Sequence, residues 1–449
     1  MFRTLLIANR GEVAARVART ARRMGVRTVV VASSADLDQQ WLAEVDVVVP
    51  IGPARAAASY LDVDALLEVA VQHGCAAVHP GWGFLSENDR FAARCEAAGV
   101  TFVGPEPRHL RAMGDKVVAR RVMASLGLPV IPGSDGALSG VDEARRLADE
   151  VGYPVMIKAV SGGGGRGMRH VDTPSDLARA YEDAAAEALA GFGDASLYLE
   201  KRIDHGRHVE VQLVGDRWGT CVHLGERECS VQRRHQKVVE EGPSPGLSAS
   251  ERDRVLPLVA DAMARAGYRG AGTVEMLLDP EGRLYFMEMN TRLQVEHGVS
   301  ELLTGVDLVE WQLRVAANER LPVSTPPPRS GHVMEFRINA EDPDAGFAPS
   351  PGVVHTLRWP VAPWVRVDTH LRPGDRIPPN YDSMVAKLLV RGDDREDCLR
   401  RSRDALAETQ VEGVRTNLAL HRRLLDWAPY RTGVYDTTSL ETALRSKEI

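Results

Sequence analysis

Residues 273–290 contain the run Thr273-Val274-Glu275-Met276-Leu277-Leu278, the turn Asp279-Pro280-Glu281-Gly282, and the run Leu284-Tyr285-Phe286-Met287-Glu288-Met289-Asn290. Two short apolar runs on either side of a turn rich in Asp, Pro and Gly predict a β-hairpin. Period two places Glu288, Asn290 and Arg292 on one face. Glu275 lies at a similar distance from the turn on the partner strand, so two carboxylates and an amide oxygen can converge in the oxygen-rich setting that Mg²⁺ takes. Simple solvation of these carboxylates is the alternative. Their place inside apolar strands speaks against it, because a buried carboxylate needs a counter-charge or a metal.

Directly after the hairpin, Asn290-Thr291-Arg292-Leu293-Gln294-Val295-Glu296-His297 supplies a cation, an amide, a carboxylate and an imidazole, suitable tools for an oxyanion and its proton. Upstream, the segment Glu226 to Lys237 gathers basic side chains with His235 and Glu226 near a polar stretch, a group that can bind phosphate or bicarbonate or form a surface charge cluster. Further upstream, the strand-like run Val155 to Lys158 precedes Ser161-Gly162-Gly163-Gly164-Gly165-Arg166-Gly167 and a second strand. That pattern predicts a hairpin with a glycine tip whose backbone N–H groups are free to wrap phosphate oxygens. No Gly-Lys-Ser/Thr closes the run, so it is not a Walker A loop, and a plain linker remains the alternative.

At the N-terminus, Leu5 to Ala8, a helix from about Glu12 to Met24 and Thr28 to Ala32 read as β-α-β, and strand-like runs at 76–79 and 101–103 extend a parallel domain to about residue 114. Its first turn holds one glycine rather than G-x-G-x-x-G, which disfavours a dinucleotide site. An α+β region follows from Asp115. It ends in the Pro-rich stretch Leu321-Pro322-Val323-Ser324-Thr325-Pro326-Pro327-Pro328, read as an extended linker to a third domain.

The 449 residues suit about three domains, and 44% apolar with 26% charged residues describe folded chains. A net charge of -7 argues against nucleic-acid or membrane-surface binding. No leader pattern and no 18-residue apolar run appear, so a cytoplasmic protein is expected. The five cysteines show no C-x-x-C spacing and are read as reduced and structural. Lysine is scarce, with six among 55 basic residues: Lys116, Lys158, Lys201, Lys237, Lys387 and Lys447. Where arginine is the default cation, each lysine is a candidate for a compact point charge at a phosphate.

Taken together, I-A-N-R-G-E at 7–12, H-P-G-W-G-F-L-S-E-N at 79–88, M-G-D-K at 113–116, the glycine run, R-H-V-E at 207–210, Q-R-R-H-Q-K at 232–237, E-M-N-T-R-L-Q-V-E-H at 288–297 and R-I-N-A-E-D-P at 337–343 resemble the biotin carboxylase subunit of acyl-CoA carboxylases, in the ATP-grasp superfamily. The resemblance implies a mixed α/β and α+β chain with an N-terminal Rossmann-like domain (1–114), an ATP-grasp domain (115–328) with a glycine-rich lid at about 131–204, and a C-terminal α+β domain (329–449).

It also implies ATP-dependent carboxylation of biotin with bicarbonate through carboxyphosphate. Lys116, Lys158, Gly163, Gly164, Gly165, Met168, Glu200, Lys201, Ile203, His208, Gln232, His235 and Leu277 would surround the nucleotide. Glu275, Glu288 and Asn290 would hold Mg²⁺ or Mn²⁺. Lys237, Arg292, Gln294 and Val295 would hold bicarbonate, with Glu296 its general base, and Arg337 would stabilise the biotin enolate oxygen beside Trp82.

Implied partners are a biotin carboxyl carrier protein and carboxyltransferase subunits, and the family is often dimeric. None of the lysines sits in the Met-Lys-Met context of a biotin attachment site, so the carrier is expected elsewhere. Trp82 stands where the family commonly has tyrosine, Arg202 replaces an aromatic, the glycine run is one residue shorter, and Gly298 stands where proline is usual. An ATP-grasp ligase with another acceptor and an idle nucleotide sensor are the competing functions. Arg337 and the intact Lys237, Glu288, Asn290, Arg292 and Glu296 speak against both.

Overall fold

The computed structural model describes residues 1–160 and 167–449. The expectations for Gly163, Gly164 and Gly165 fall outside the described residues. Strands β1 (Thr4–Ile7), β2 (Arg27–Ala32), β3 (Val47–Pro50), β4 (Ala77–His79) and β5 (Thr101–Phe102) form a parallel sheet of order β3-β2-β1-β4-β5. Its central strands are nearly continuous apolar runs because both faces are covered. Leu5, Ile7 and Val30 pack on one side, while Leu6, Val29 and Val31 pack on the other. The helix Gly11–Arg23 follows β1 as the β-α-β reading requires.

The expected glycine-tipped hairpin is β6 (Val155–Ala159) against β7 (Met168–Val171), with Lys158 opposite Met168. With β8 (Leu197–Lys201) it makes a small antiparallel sheet of order β7-β6-β8. Helices Val141–Val151 and Leu177–Phe192 close a separate core around Ile157 and Leu199.

The largest sheet is antiparallel throughout. It comprises β9 (Arg207–Gly215), β10 (Cys221–Arg233), β11 (Gln236–Gly242), β12 (Gly270–Leu278), β13 (Leu284–Asn290), β14 (His332–Asn339), β15 (Val365–Thr369) and β16 (Met384–Gly392), in the order β13-β12-β9-β10-β11-β14-β16-β15. Residues 321–328 carry no helix or strand. The strands on either side of them nonetheless share this sheet, since β11 pairs with β14.

Alternation along each strand gives the sheet two unlike faces. Val209, Val211, Val274 and Met276 face the helix Ala249–Arg265, and Met334, Phe336, Ile338, Leu388 and Val390 face the helices Arg395–Glu408 and Leu418–Asp426. The intervening residues are Glu210, Glu275, Glu335, Arg337 and Lys387. Cross-strand pairing lines them up: Glu288 opposite Glu275, Glu275 opposite Glu210, Glu210 opposite Arg227, then Glu240 opposite Glu335, and Arg337 opposite Lys387, itself opposite Asp368. A row of charge thus crosses the sheet. No helix among the described residues is long and apolar enough to cross a membrane, and all five cysteines are free.

Candidate active site

The row of charge opens into a cavity of about 440 Å³ lined by, among others, Trp82, Glu87, His208, Lys237, Glu275, Glu288, Asn290, Arg292, Gln294, Val295, Glu296 and Arg337. The hairpin forms as read. A bulge between Glu275 and Met276 in the β12–β13 register lets Glu288 pair with Glu275 while Met276 pairs with Phe286. Glu288 therefore faces the cavity although Phe286, two residues earlier, lies in the core.

At the centre the Lys237 ammonium contacts three carboxylates: Glu296 Oε1 at 2.6 Å, Glu210 Oε2 at 2.7 Å and Glu275 Oε1 at 3.0 Å. Burial opposes its charge, but Cys229 and the three carboxylates outweigh burial and raise its pKa well above the lysine value. Glu296 is fully buried, and its second oxygen accepts from Arg337 at 3.0 Å. Burial alone would push its pKa up. Lys237, Arg337 and Arg227 hold it well below the usual carboxylate range. A carboxylate clamped between two cations is ionised and fixed in direction, as a base must be before its substrate arrives.

Arg337 donates from Nε to Glu240 at 2.6 Å, so one guanidinium joins Glu240 to Glu296. Arg292 donates to Glu87 at 3.0 Å, Gln294 Oε1 at 2.9 Å and Asn290 Oδ1 at 2.8 Å. Asn290 donates to Glu275 at 2.7 Å, and His208 Nε2 lies 3.2 Å from the other Glu275 oxygen. Burial works against protonation of His208, and the Glu275 carboxylate overrides it to raise its pKa. Gln232 lies 3.1 Å from His208 Nδ1 and fixes the ring. Glu275, Glu288 and Asn290 offer hard oxygen donors at one corner of the cavity, which fits a divalent cation such as Mg²⁺.

The remaining candidates lie around this corner. Lys116, at the start of the Asp115-capped helix Lys116–Ser125, is 3.7 Å from Glu288. Lys158 donates to Glu200 at 2.5 Å, and Arg120 reaches the same carboxylate at 3.3 Å. The Lys201 ammonium is taken up by the carbonyls of Gly152 and Tyr153, at 2.9 and 3.0 Å. Met168, Ile203 and Leu277 are half-buried, and His235, with φ +63°, sits on the cavity rim. Arg202 pairs with Asp172 at 2.6 Å and Asp204 at 2.8 Å. Trp82 lines this cavity and an adjoining one of about 250 Å³ that includes Phe84 and Tyr381. Its buried indole N–H has no hydrogen-bond partner among the described residues. At Gly298 an added Cβ would lie 2.6 Å from a Leu389 methyl, so the missing side chain matches a tight contact.

Three members of the site were not singled out from sequence. Glu210 and Glu240 hold Lys237 and Arg337 from below, and Glu87 reaches Arg292 from the N-terminal domain. The first two carry the signal used for Glu275, a charge at an inward position of an apolar strand. Glu87 carries no such signal, because it lies in a loop.

Family comparisons cover nearly the whole chain. Residues 1–110 match the biotin carboxylase N-terminal domain, 115–324 the ATP-binding domain of the carbamoyl-phosphate synthase L chain, and 335–442 the biotin carboxylase C-terminal domain. The chain is 48% identical to the biotin carboxylase of Pseudomonas aeruginosa over 446 residues, 99% of each chain. It is 45% identical to that of Halalkalibacterium halodurans over 448 residues, 100% of this chain and 99% of the relative. Among solved structures, the biotin carboxylase-beta-gamma-ATP complex from Campylobacter jejuni superposes with a TM-score of 0.95 at 43% identity, covering 98% of this chain and 99% of that one. The biotin carboxylase domain dimer of Hydrogenobacter thermophilus 2-oxoglutarate carboxylase, in complex with MgADP, ADP and bicarbonate, superposes at 0.93 with 43% identity, over 99% of this chain and 98% of that one.

Proposed function

The chain belongs to the biotin carboxylase family of ATP-grasp ligases, ATP-dependent enzymes that carboxylate biotin with bicarbonate, and from that premise we propose how its residues divide the work. The observation that carries the reading is the Glu296 carboxylate, buried and ionised between Lys237 and Arg337. Bicarbonate sits against Lys237, Arg292, Gln294 and the Val295 backbone, and Glu296 takes its proton as an oxygen attacks the γ-phosphorus and ADP departs. Lys116, Lys158, His208 and the glycine run hold the nucleotide, with Glu200 to Ile203 at the adenine. Met168, Gln232, His235 and Leu277 complete its surroundings. Mg²⁺, which Glu275, Glu288 and Asn290 would hold, supplies neutralisation of charge on the β- and γ-phosphates.

The product of that step, carboxyphosphate, breaks its C–O bond to phosphate and gives CO₂ and inorganic phosphate beside biotin, and the phosphate takes the ureido N–H proton. Arg337 stabilises the oxygen of the ureido enolate as the nitrogen gains the carboxyl group, beside Trp82. A closed lid over residues 131–204 keeps water from the intermediate. The working units run over 1–114, 115–328 and 329–449. A biotin carboxyl carrier protein delivers the acceptor and a carboxyltransferase consumes the product. A homodimer and a cytoplasmic location belong to the same proposal. The test is transfer of label from ¹⁴C-bicarbonate to free biotin with MgATP. Label appearing on biotin only when all three are present is the expected result, and label on an amine acceptor instead would overturn it.

A further inference from the structure

Lys387 is one of the six lysines, yet the proposed reaction gives it no task. It is fully buried on β16, opposite Arg337 on β14 and Asp368 on β15. Its ammonium donates to the Val295 carbonyl at 2.9 Å, lies 3.1 Å from Glu12 Oε1, and is 3.7 Å from Asp368. Val295 and Glu296 form a turn between β13 and the helix His297–Thr304. The carbonyls of such a turn need donors from elsewhere. Here Arg292 supplies Leu293 at 3.3 Å, His297 Nδ1 lies 2.7 Å from the Gln294 oxygen, and Lys387 supplies Val295.

The peptide joining Val295 to Glu296 is planar. Holding its carbonyl oxygen therefore fixes the plane from which the Glu296 side chain departs. Glu12 holds the ammonium from the other side, at the start of the helix Gly11–Arg23 in the N-terminal domain.

We propose that Lys387 is a positioning residue for the general base: anchored by Glu12, it fixes the Val295–Glu296 peptide and so aims the Glu296 carboxylate at bicarbonate. The inference rests on the reading of Glu296 as the base. An arginine, with its broad planar fork, does not supply the same single compact contact, which accounts for a lysine here in an arginine-rich chain.

The test compares Lys387→Met, the paired change Lys387→Met with Glu12→Gln, and Glu296→Gln, following ADP release against bicarbonate and MgATP together with thermal midpoints. Lys387→Met alone leaves Glu12 buried without its cation and lowers the thermal midpoint, whereas Asp368 keeps Arg366 at 2.7 Å and Arg19 at 3.1 Å. The paired change removes the stranded Glu12 charge and recovers much of that loss. It still leaves the Val295 carbonyl unheld, so its kcat/KM for bicarbonate stays at least about tenfold down while the KM for MgATP changes less than about twofold. Recovery of both midpoint and bicarbonate kinetics would reduce Lys387 to a buried counter-charge and overturn the proposal. Failure of the paired variant to fold would show that the contact builds the turn rather than aims the base, and would overturn it too. Normal turnover by Glu296→Gln would remove the base assignment itself, and the inference with it.

Discussion

Glu240 and Glu241 are neighbours on β11, both fully buried, and they titrate in opposite directions. Glu240 points to the charged face, where burial and the nearby Glu296 push its pKa up to about 7 against the pull of Arg337. Glu241 points to the apolar face, where burial is outweighed by His332 at 2.7 Å, two Arg395 contacts at 2.7 and 2.9 Å, and the Tyr435 hydroxyl at 2.5 Å, and its pKa falls to about 2. One carboxylate has several donors to itself. The other shares one guanidinium with a second carboxylate and sits opposite Glu335, whose buried oxygens have no hydrogen-bond partner among the described residues. The same strands thus build one face that holds the fold together and another that keeps charges close, incompletely neutralised and available for chemistry.

If that division is right, changes on the two faces separate activity from stability. The largest effect belongs to Glu296→Gln, nearly isosteric and stripped only of basicity. Its kcat falls by about 10² to 10⁴, while calorimetric MgATP affinity stays near wild type because Glu275, Glu288 and Asn290 are untouched. Severely weakened ATP binding with a normal saturated rate would move Glu296 into the metal site.

On the opposite face, Phe336→Ala empties a packed position and costs about 3–5 kcal/mol in urea unfolding. Turnover per folded molecule changes far less, although Phe336 adjoins Arg337. Equal losses of stability and turnover would dissolve the distinction between faces.

Lys237→Arg keeps the charge but cannot bring one compact donor to Glu210, Glu275 and Glu296 together. Its kcat drops at least about tenfold, close to 1.4 kcal/mol of transition-state stabilisation. Near-normal steady-state rates would mean that charge alone suffices there.

The smallest effects are two slopes of opposite sign. Glu241 has a depressed pKa in the fold, so its stabilising contribution is present above the unfolded value near 4.5 and is lost as pH falls toward 2. The stability gap between wild type and Glu241→Gln therefore narrows on acidification. Glu240 has a raised pKa, so the folded state holds its proton longer, and stability declines as pH rises from about 4.5 to about 7. Glu240→Gln flattens that decline. Urea midpoints at several pH values check both, and slopes of the same sign for the two variants would contradict the comparison.

Much of the site was legible in the sequence because its parts are local. The turn at Asp279 to Gly282 announces the hairpin, the hairpin pairs Glu275 with Glu288, and Glu296 follows within a few residues. Scarcity of lysine marks Lys237 no more than Lys201, Lys387 or Lys447, so composition alone does not separate the site lysines from the rest. What stayed hidden depends on pairing between distant strands. Nothing near Glu240 indicates that Glu335 lies across from it, and the Pro-rich segment reads as a boundary although β11 and β14 join on either side of it. Bulges add to this, since each reverses which residues face inward, as between Phe286 and Glu288. Glu87 reaches Arg292 from another domain, a contact that no periodicity encodes.

The charged face is expected to couple ATP cleavage to bicarbonate and biotin. The most direct test of that coupling is the initial rate of ADP release by the unaltered protein with MgATP, measured with both co-substrates and with each omitted in turn. The rate should collapse without bicarbonate and rise on addition of free biotin. Rapid ADP release indifferent to both would contradict it.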